Sequence, residues 1–180
     1  ESVQTIGENA FCDCAKLENI KLPQTVQKIG MAAFSNCEKL EEINVSLNNN
    51  FYSTINGDLY DKDGTTIIQY AMGKDEKRYE TIYNLKEIGE NAFEGCHLIE
   101  IVISSNNDLT IGEAAFLNCR NLKRVILKQS VTEIGELSFQ NCNQLTDIEL
   151  PSSLKRIGND AFRFCSNLQN VSYKGTKEQW

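Results

Sequence analysis

Apolar and polar residues along this chain follow a pattern that repeats every 23 positions. Its clearest unit is an alternation, Leu145, Ile148 and Leu150 with Asp147 and Glu149 between them, followed by Pro151, Leu154, the pair Ile157-Gly158, then Ala161-Phe162 and Cys165. Alternation puts Ile148 and Leu150 on one face and Asp147 and Glu149 on the other, which predicts a short strand with one buried face. Pro151, with no backbone donor and a fixed φ, suits the strand's end. Gly158 marks a turn or a close approach of backbones. The segment 159–164 has room for a single helical or 3₁₀ turn, which would bring Phe162 and Cys165 inward together.

The same letters recur at Ile6, Ile29, Ile88, Ile111, Ile134 and Ile157, each followed by Gly; at Phe11, Phe34, Phe93, Phe116, Phe139 and Phe162; and at Cys14, Cys37, Cys96, Cys119, Cys142 and Cys165. A unit this short cannot bury its own apolar side chains and must stack on its neighbours, the signature of a solenoid. One strand per unit, always entered from the same kind of return segment, predicts a parallel sheet on one side and tight turns on the other, with rungs about 4.8 Å apart. Leu17, Leu40, Leu98, Leu122, Leu145 and Leu168 then form one ladder; Ile20, Ile43, Ile101, Val125, Ile148 and Val171 form a second beside the phenylalanines. Together they are the expected core.

Two departures carry information. Cys96-His97-Leu98 is one residue shorter than Cys119-Arg120-Asn121-Leu122, so keeping Leu98, Ile101 and Ile103 inward needs an extra residue in the loop 104–110. Between Cys37 and Cys96 the spacing is 59 rather than 23. Within that interruption, at about 46–82, two β-prone runs flank Asp63-Gly64 and predict a hairpin whose second arm joins the sheet as an irregular rung. Met72–Arg78 reads as a charged, flexible connection. The repeat resumes around Tyr79, with Ile82 in the place of Leu22 and Leu85 in that of Val26.

Length and charge narrow the function classes. A chain of 180 residues with 41% hydrophobic content suffices for one repeat domain, 1–180, and no apolar run predicts membrane insertion. A net charge of −7 argues against nucleic acid as partner. Residues 2–7 already match the middle of a unit, 25–30, so the chain is expected to be a fragment of a longer one.

Catalytic constellations are lacking. Histidine occurs once, at His97 in a turn, so a nucleophile–histidine pair would have to include it. Asp61-Lys62-Asp63-Gly64 has half the pattern of a calcium loop without the terminal Glu, and a hairpin turn is the better reading. Six cysteines share one inward ladder position and are expected to be packed thiols. A uniform stack in one rotamer disfavours disulfides, and the absence of paired knuckles disfavours a metal. Cys12 lies outside the ladder and is the expected accessible thiol. No catalytic residue, metal or cofactor is predicted. The outward side of the sheet offers a candidate contact patch, Val102 and Ile126 beside Arg124, ringed by Glu100, Asp147 and Glu149; solvated sheet surface is the alternative. Tyr52, Tyr60, Tyr70 and Tyr79 make the interruption a second candidate, with Tyr60 and Tyr70 as contact residues.

The word Ile-Gly-x-x-Ala-Phe-x-x-Cys-x-x-Leu-x-x-Ile-x-Leu-Pro resembles the BspA-like leucine-rich repeat family over nearly the whole chain. The Asp58-Leu59-Tyr60 hairpin and the closing 175–180 segment resemble recurrent elements of that family. The resemblance implies an α/β fold: a right-handed leucine-rich repeat solenoid with a concave parallel β-sheet, short helical or 3₁₀ turns on the return side, and one β-hairpin interruption. It also implies an extracellular or cell-surface location and a non-catalytic binding or adhesion module for a protein or glycan partner, such as host matrix or a cell surface. A structural spacer, or an accessory repeat segment of a larger surface protein or enzyme, is the alternative. A fold of this kind does not by itself establish function.

Overall fold

The computed structural model describes residues 3–178. Its first eight strands are β1 (Thr5–Ile6), β2 (Asn19–Leu22), β3 (Lys28–Ile29), β4 (Glu42–Val45), β5 (Tyr52–Ile55), β6 (Asp58–Asp61), β7 (Thr66–Gln69) and β8 (Arg78–Glu80). The remainder are β9 (Glu87–Ile88), β10 (Glu100–Ile103), β11 (Leu109–Ile111), β12 (Arg124–Leu127), β13 (Val131–Ile134), β14 (Asp147–Leu150), β15 (Arg156–Ile157) and β16 (Asn170–Tyr173). They wind as a β-solenoid with parallel ladders on two sides. The front ladder runs β2-β4, then β8-β10-β12-β14-β16; the return ladder runs β1-β3, then β7-β9-β11-β13-β15.

Two expectations about the return side need correction. It carries a second parallel sheet, built on the Ile of each Ile-Gly pair, and the described residues include no helix or 3₁₀ turn, so the expected helical segments are absent. The cause is backbone conformation. The residues three and seven after that Ile adopt positive φ, for example Asn9 at 54° and Asp13 at 60°, or Ala114 at 50° and Asn118 at 61°. Residues in the left-handed region interrupt a right-handed helix every few positions. The hydrogen bonds agree: alternate amides of each turn reach the next rung, as in Ala114 N to Glu136 O (2.9 Å), Phe116 N to Ser138 O (2.7 Å) and Asn118 N to Gln140 O (2.9 Å). In every rung after the first, the glycine after the Ile serves close approach: a Cβ on Gly112 would lie 2.7 Å from Ile88 O, whereas one on Gly7 would meet nothing.

The predicted ladders form the core. Phe93, Phe116, Phe139 and Phe162 stack at centroid distances of 4.9, 5.0 and 5.4 Å, and Leu40, Leu98, Leu122 and Leu145 are buried throughout. Val171, expected inward, is exposed, as is Ile157, because no neighbouring rung among the described residues covers their outer side. The short Cys96–Leu98 turn is compensated as expected: Leu98, Ile101 and Ile103 stay buried, and the register shifts where β11 meets β13.

The interruption is larger than one hairpin. β5, β6 and β7 form an antiparallel meander, and β7 pairs in parallel with β9, so the second arm does become a rung. The added strand β5 turns back into β6 through Asn56-Gly57, both at positive φ (52° and 83°), the geometry of a tight hairpin turn. At the other turn the Asp61 carboxylate accepts from the Thr65 and Thr66 amides and from the Thr65 hydroxyl, so it organises the turn rather than a cation site. Where the front ladder breaks after β4, Thr54 Oγ1 accepts from Val45 N (2.8 Å) and donates to Ile43 O (2.6 Å), substituting for a neighbouring strand.

This arrangement separates the core into two clusters, one around Phe34 and one around Phe116. The residues 72–78 are not a free connection: Met72 is buried, Gly73 N donates to Leu40 O, and Arg78 begins β8. The register aligns Tyr79 with Ile101, so Thr81, buried and exchanging hydrogen bonds with Ser104, takes the place expected of Ile82.

Candidate functional site

The outward side of the front ladder presents two columns. The register places Arg78, Glu100, Arg124, Asp147 and Asn170 side by side, and beside them Glu80, Val102, Ile126, Glu149 and Ser172. The first column alternates in sign and is held by ion pairs: Arg78 Nε donates to Glu100 (2.8 Å) and Arg124 lies 3.8 Å from the same carboxylate. Arg78 also meets Glu80, and Lys174 meets Glu149 at 2.8 Å. Asn170 donates to Asp147 Oδ1, and hydrogen bonds from Thr146 and then Asn170 hold the Asp147 carboxyl below its usual range. Between β12, β14 and β16 the face dips into a shallow depression of about 230 Å³, lined by Arg124, Ile126, Asp147, Glu149, Asn170 and Ser172.

Five of the expected site residues therefore share one surface: Arg124, Asp147 and Glu149 are exposed, while Ile126 and Glu100 are half-buried. Val102 is not accessible, with 3% of its surface exposed. It points outward, but it stands between Glu80 and Ile126 beside the ion-paired column, and its short side chain lies below their reach.

The tyrosine surface is also corrected. Tyr60 and Tyr70 are buried at 1% and 2% exposure, because Tyr70 continues the aromatic ladder into the interruption and Tyr60 packs in the same core cluster. Tyr70 stacks on Phe93 at 4.9 Å and meets Tyr79 edge-on at 5.3 Å; the Tyr60 and Tyr79 hydroxyls lie 3.0 Å apart. Beneath them the buried Asp58 carboxylate accepts from Lys74 Nζ (2.6 Å), Ala71 N (2.8 Å) and Tyr79 OH (3.3 Å). Burial outweighs those partners and pushes its pKa up to about 6. This network holds the meander onto the solenoid.

Some front-face residues were not legible from the repeat. Arg78 and Glu80 belong to it, yet the short Cys96–Leu98 turn makes the offset between Tyr79 and Ile101 22 residues rather than 23, so stepping back by the repeat lands on Arg78. Alternation within Arg78-Tyr79-Glu80 is the signal that could have found them. At the edge of the face, Lys77, Arg120, Lys123 and His97 surround exposed Ile99 in an open depression of about 610 Å³. His97 is an exposed turn residue.

The cysteines are free thiols, and five of the ladder six are buried. Cys14 is the exception: it is exposed in the first rung, more so than half-buried Cys12, which displaces the expectation that Cys12 is the accessible thiol. The buried thiols have a backbone role. Cys37, Cys119, Cys142 and Cys165 each donate to the carbonyl of the phenylalanine one rung back, at 3.0–3.3 Å. Among the described residues no three His, Cys, Asp or Glu side chains converge as a metal-binding set. None of their helices could cross a membrane, since there is none.

A family model for the BspA type leucine rich repeat region matches six copies over residues 1–69 and 80–179. A leucine rich cell surface protein of Faecalibacterium prausnitzii is similar at 28% identity and a TM-score of 0.74, over 99% of this chain and 53% of that one. The pneumococcal vaccine antigen PcpA is similar at 25% identity and a TM-score of 0.85, over 96% and 43% respectively. A leucine-rich repeat protein of Bacteroides ovatus shares 32% identity with a TM-score of 0.58, over 94% and 40%. The chain thus spans about half the length of these structures or less. No match is found among curated proteins. The 175–180 tail extends outside the described residues at Gln179 and Trp180.

Proposed function

We propose a binding role for this chain, on the premise that it belongs to the BspA-type leucine-rich repeat family. Its front face is a non-catalytic recognition surface for a protein or glycan partner outside the cell. The observation that carries this reading is the division of labour between the two surfaces: the tyrosines of the interruption are largely consumed in packing, while Arg124, Asp147 and Glu149 stay exposed around half-buried Ile126 over a shallow depression. A ligated face of this kind binds by complementary charge around a small apolar centre, with Ile126 as that centre. The F. prausnitzii cell surface protein supports the location by similarity.

The spacer reading draws on a specific observation as well. Arg78, Glu100 and Arg124 pair with one another, so this part of the face has its charges balanced within the chain. An array of immobilised matrix proteins and glycans, probed with the folded chain, separates the two. Saturable binding to particular members is the expected result; uniform absence of binding, with an extended shape in solution scattering, favours the spacer.

A further inference from the structure

The thiol-to-carbonyl pattern fails at one rung, and the failure brings two sulfurs together. Counting back as for the other cysteines, the acceptor for Cys96 would be the Tyr70 carbonyl, but the interruption supplies that rung and Gln69 Nε2 already donates to Tyr70 O at 3.1 Å. Cys96 turns instead to the next rung, where its Sγ lies 2.9 Å from Cys119 Sγ. Cys119 gives its own proton to Phe93 O at 3.0 Å, which leaves its sulfur as the acceptor. Both side chains are buried, at 1% and 0% exposure. Adjacent strands place equivalent Cα atoms about 4.8 Å apart, inside the range of about 4.4–6.8 Å that a disulfide spans; the Phe93–Phe116 stacking distance of 4.9 Å fits that rise. Identical side chains stacked on adjacent strands would hold their sulfurs about 4.8 Å apart, so the 2.9 Å separation departs from a uniform stack at this pair.

We propose that Cys96 and Cys119 are a disulfide-forming pair that staples the rung bordering the interruption to the next one. The oxidant is a small-molecule disulfide such as oxidised glutathione. The Cys96 thiolate attacks one glutathione sulfur and expels the first glutathione thiolate; the Cys119 thiolate then attacks Cys96 Sγ in the mixed disulfide and expels the second. Two protein thiols lose two electrons and two protons, and the glutathione disulfide gains them and is released as two glutathione thiols. Because the folded chain buries both sulfurs, the bond forms while the rungs are still closing. A protein displayed outside a cell folds under conditions in which such a bond persists.

The test refolds the reduced, denatured chain in a mixture of reduced and oxidised glutathione, alkylates the remaining thiols and maps linked peptides by mass spectrometry. The expected major product joins Cys96 to Cys119, leaves five thiols of the seven, and unfolds at higher urea than the reduced protein. A Cys119→Ser chain should yield no substitute link from Cys96 to Cys142. Recovery of all seven thiols, a different pair as the major product, or a Cys96–Cys119 link that lowers the urea midpoint would each overturn the proposal. A chain with Cys12→Ser and Cys14→Ser, the two cysteines that are not buried, removes the more accessible competing thiols and should give the same link.

Discussion

Replacing Phe116 by alanine opens a hole in the middle of the aromatic stack. The ring is fully buried, between Phe93 at 4.9 Å and Phe139 at 5.0 Å, with interplanar angles of 23° and 4°. Phenylalanine-to-alanine changes in closed cores cost about 3–5 kcal/mol, and each lost aromatic contact contributes roughly 0.5–1.5 kcal/mol. The two terms overlap, because the stacking loss is part of what the measured range contains. The rungs above and below are held by their own backbone ladders and cannot collapse into the space, which puts the expectation in the upper half, about 4 kcal/mol. Phe11 is the internal control: it is half-buried in the first rung and stacks only on Phe34, at 5.5 Å, so Phe11→Ala should cost about half as much or less. Urea unfolding followed by circular dichroism measures both. If the two core clusters unfold separately, the loss belongs to the transition of the cluster that contains Phe116. A cost below about 1 kcal/mol, or a larger cost at Phe11, would refute the stacked core.

Two other expectations test the interior. Asp58 titrates at about 6 in the fold against 3.8 as a free side chain, so the folded state binds its proton more tightly. The stability this proton contributes is full below about pH 4 and lost as pH rises through 6, to a total on the order of 3 kcal/mol. The difference in urea midpoint between the native chain and Asp58→Asn should therefore change across that window, and a constant difference would count against it. Before denaturation a bulky thiol reagent should modify Cys14 and Cys12 and spare the five buried thiols of reduced protein; fast labelling of Cys142 would contradict the burial of the ladder.

How much of this was legible in the chain follows from what each element needs. The front strands β10, β12 and β14 have four residues with two inward apolar side chains each, and alternation reveals them. The return strands β9 and β15 have two residues, too few for any period, so the second sheet is invisible to pattern and shows only as the conserved spacing of Ile-Gly within this one chain. The positive-φ positions leave a fainter mark, Asn118 and Asn141 in one column and Asn9, Asn91 and Asp160 in another. Those residues tolerate the left-handed region, and read as parts of a turn they resemble a helical segment. Strand β5 is hard to see because all four of its side chains are half-buried, although Asn56-Gly57 is as strong a hairpin signal as Asp63-Gly64. The face was legible as a direction but not as an exposure: alternation says where Val102 points, and only the packed neighbours decide that it is hidden.

The recognition face is tested most directly by the double change Arg124→Glu with Ile126→Asp, measured by titration against whichever array member the native chain binds, with urea unfolding alongside. Neither side chain belongs to the buried core, so the expected result is a folded protein, its midpoint lowered slightly by the lost Arg124–Glu100 pair and the new acids beside Asp147 and Glu149, and an affinity reduced tenfold or more, an effect of about 1.4 kcal/mol at least. Native affinity at native stability would contradict the account and place recognition elsewhere on the solenoid.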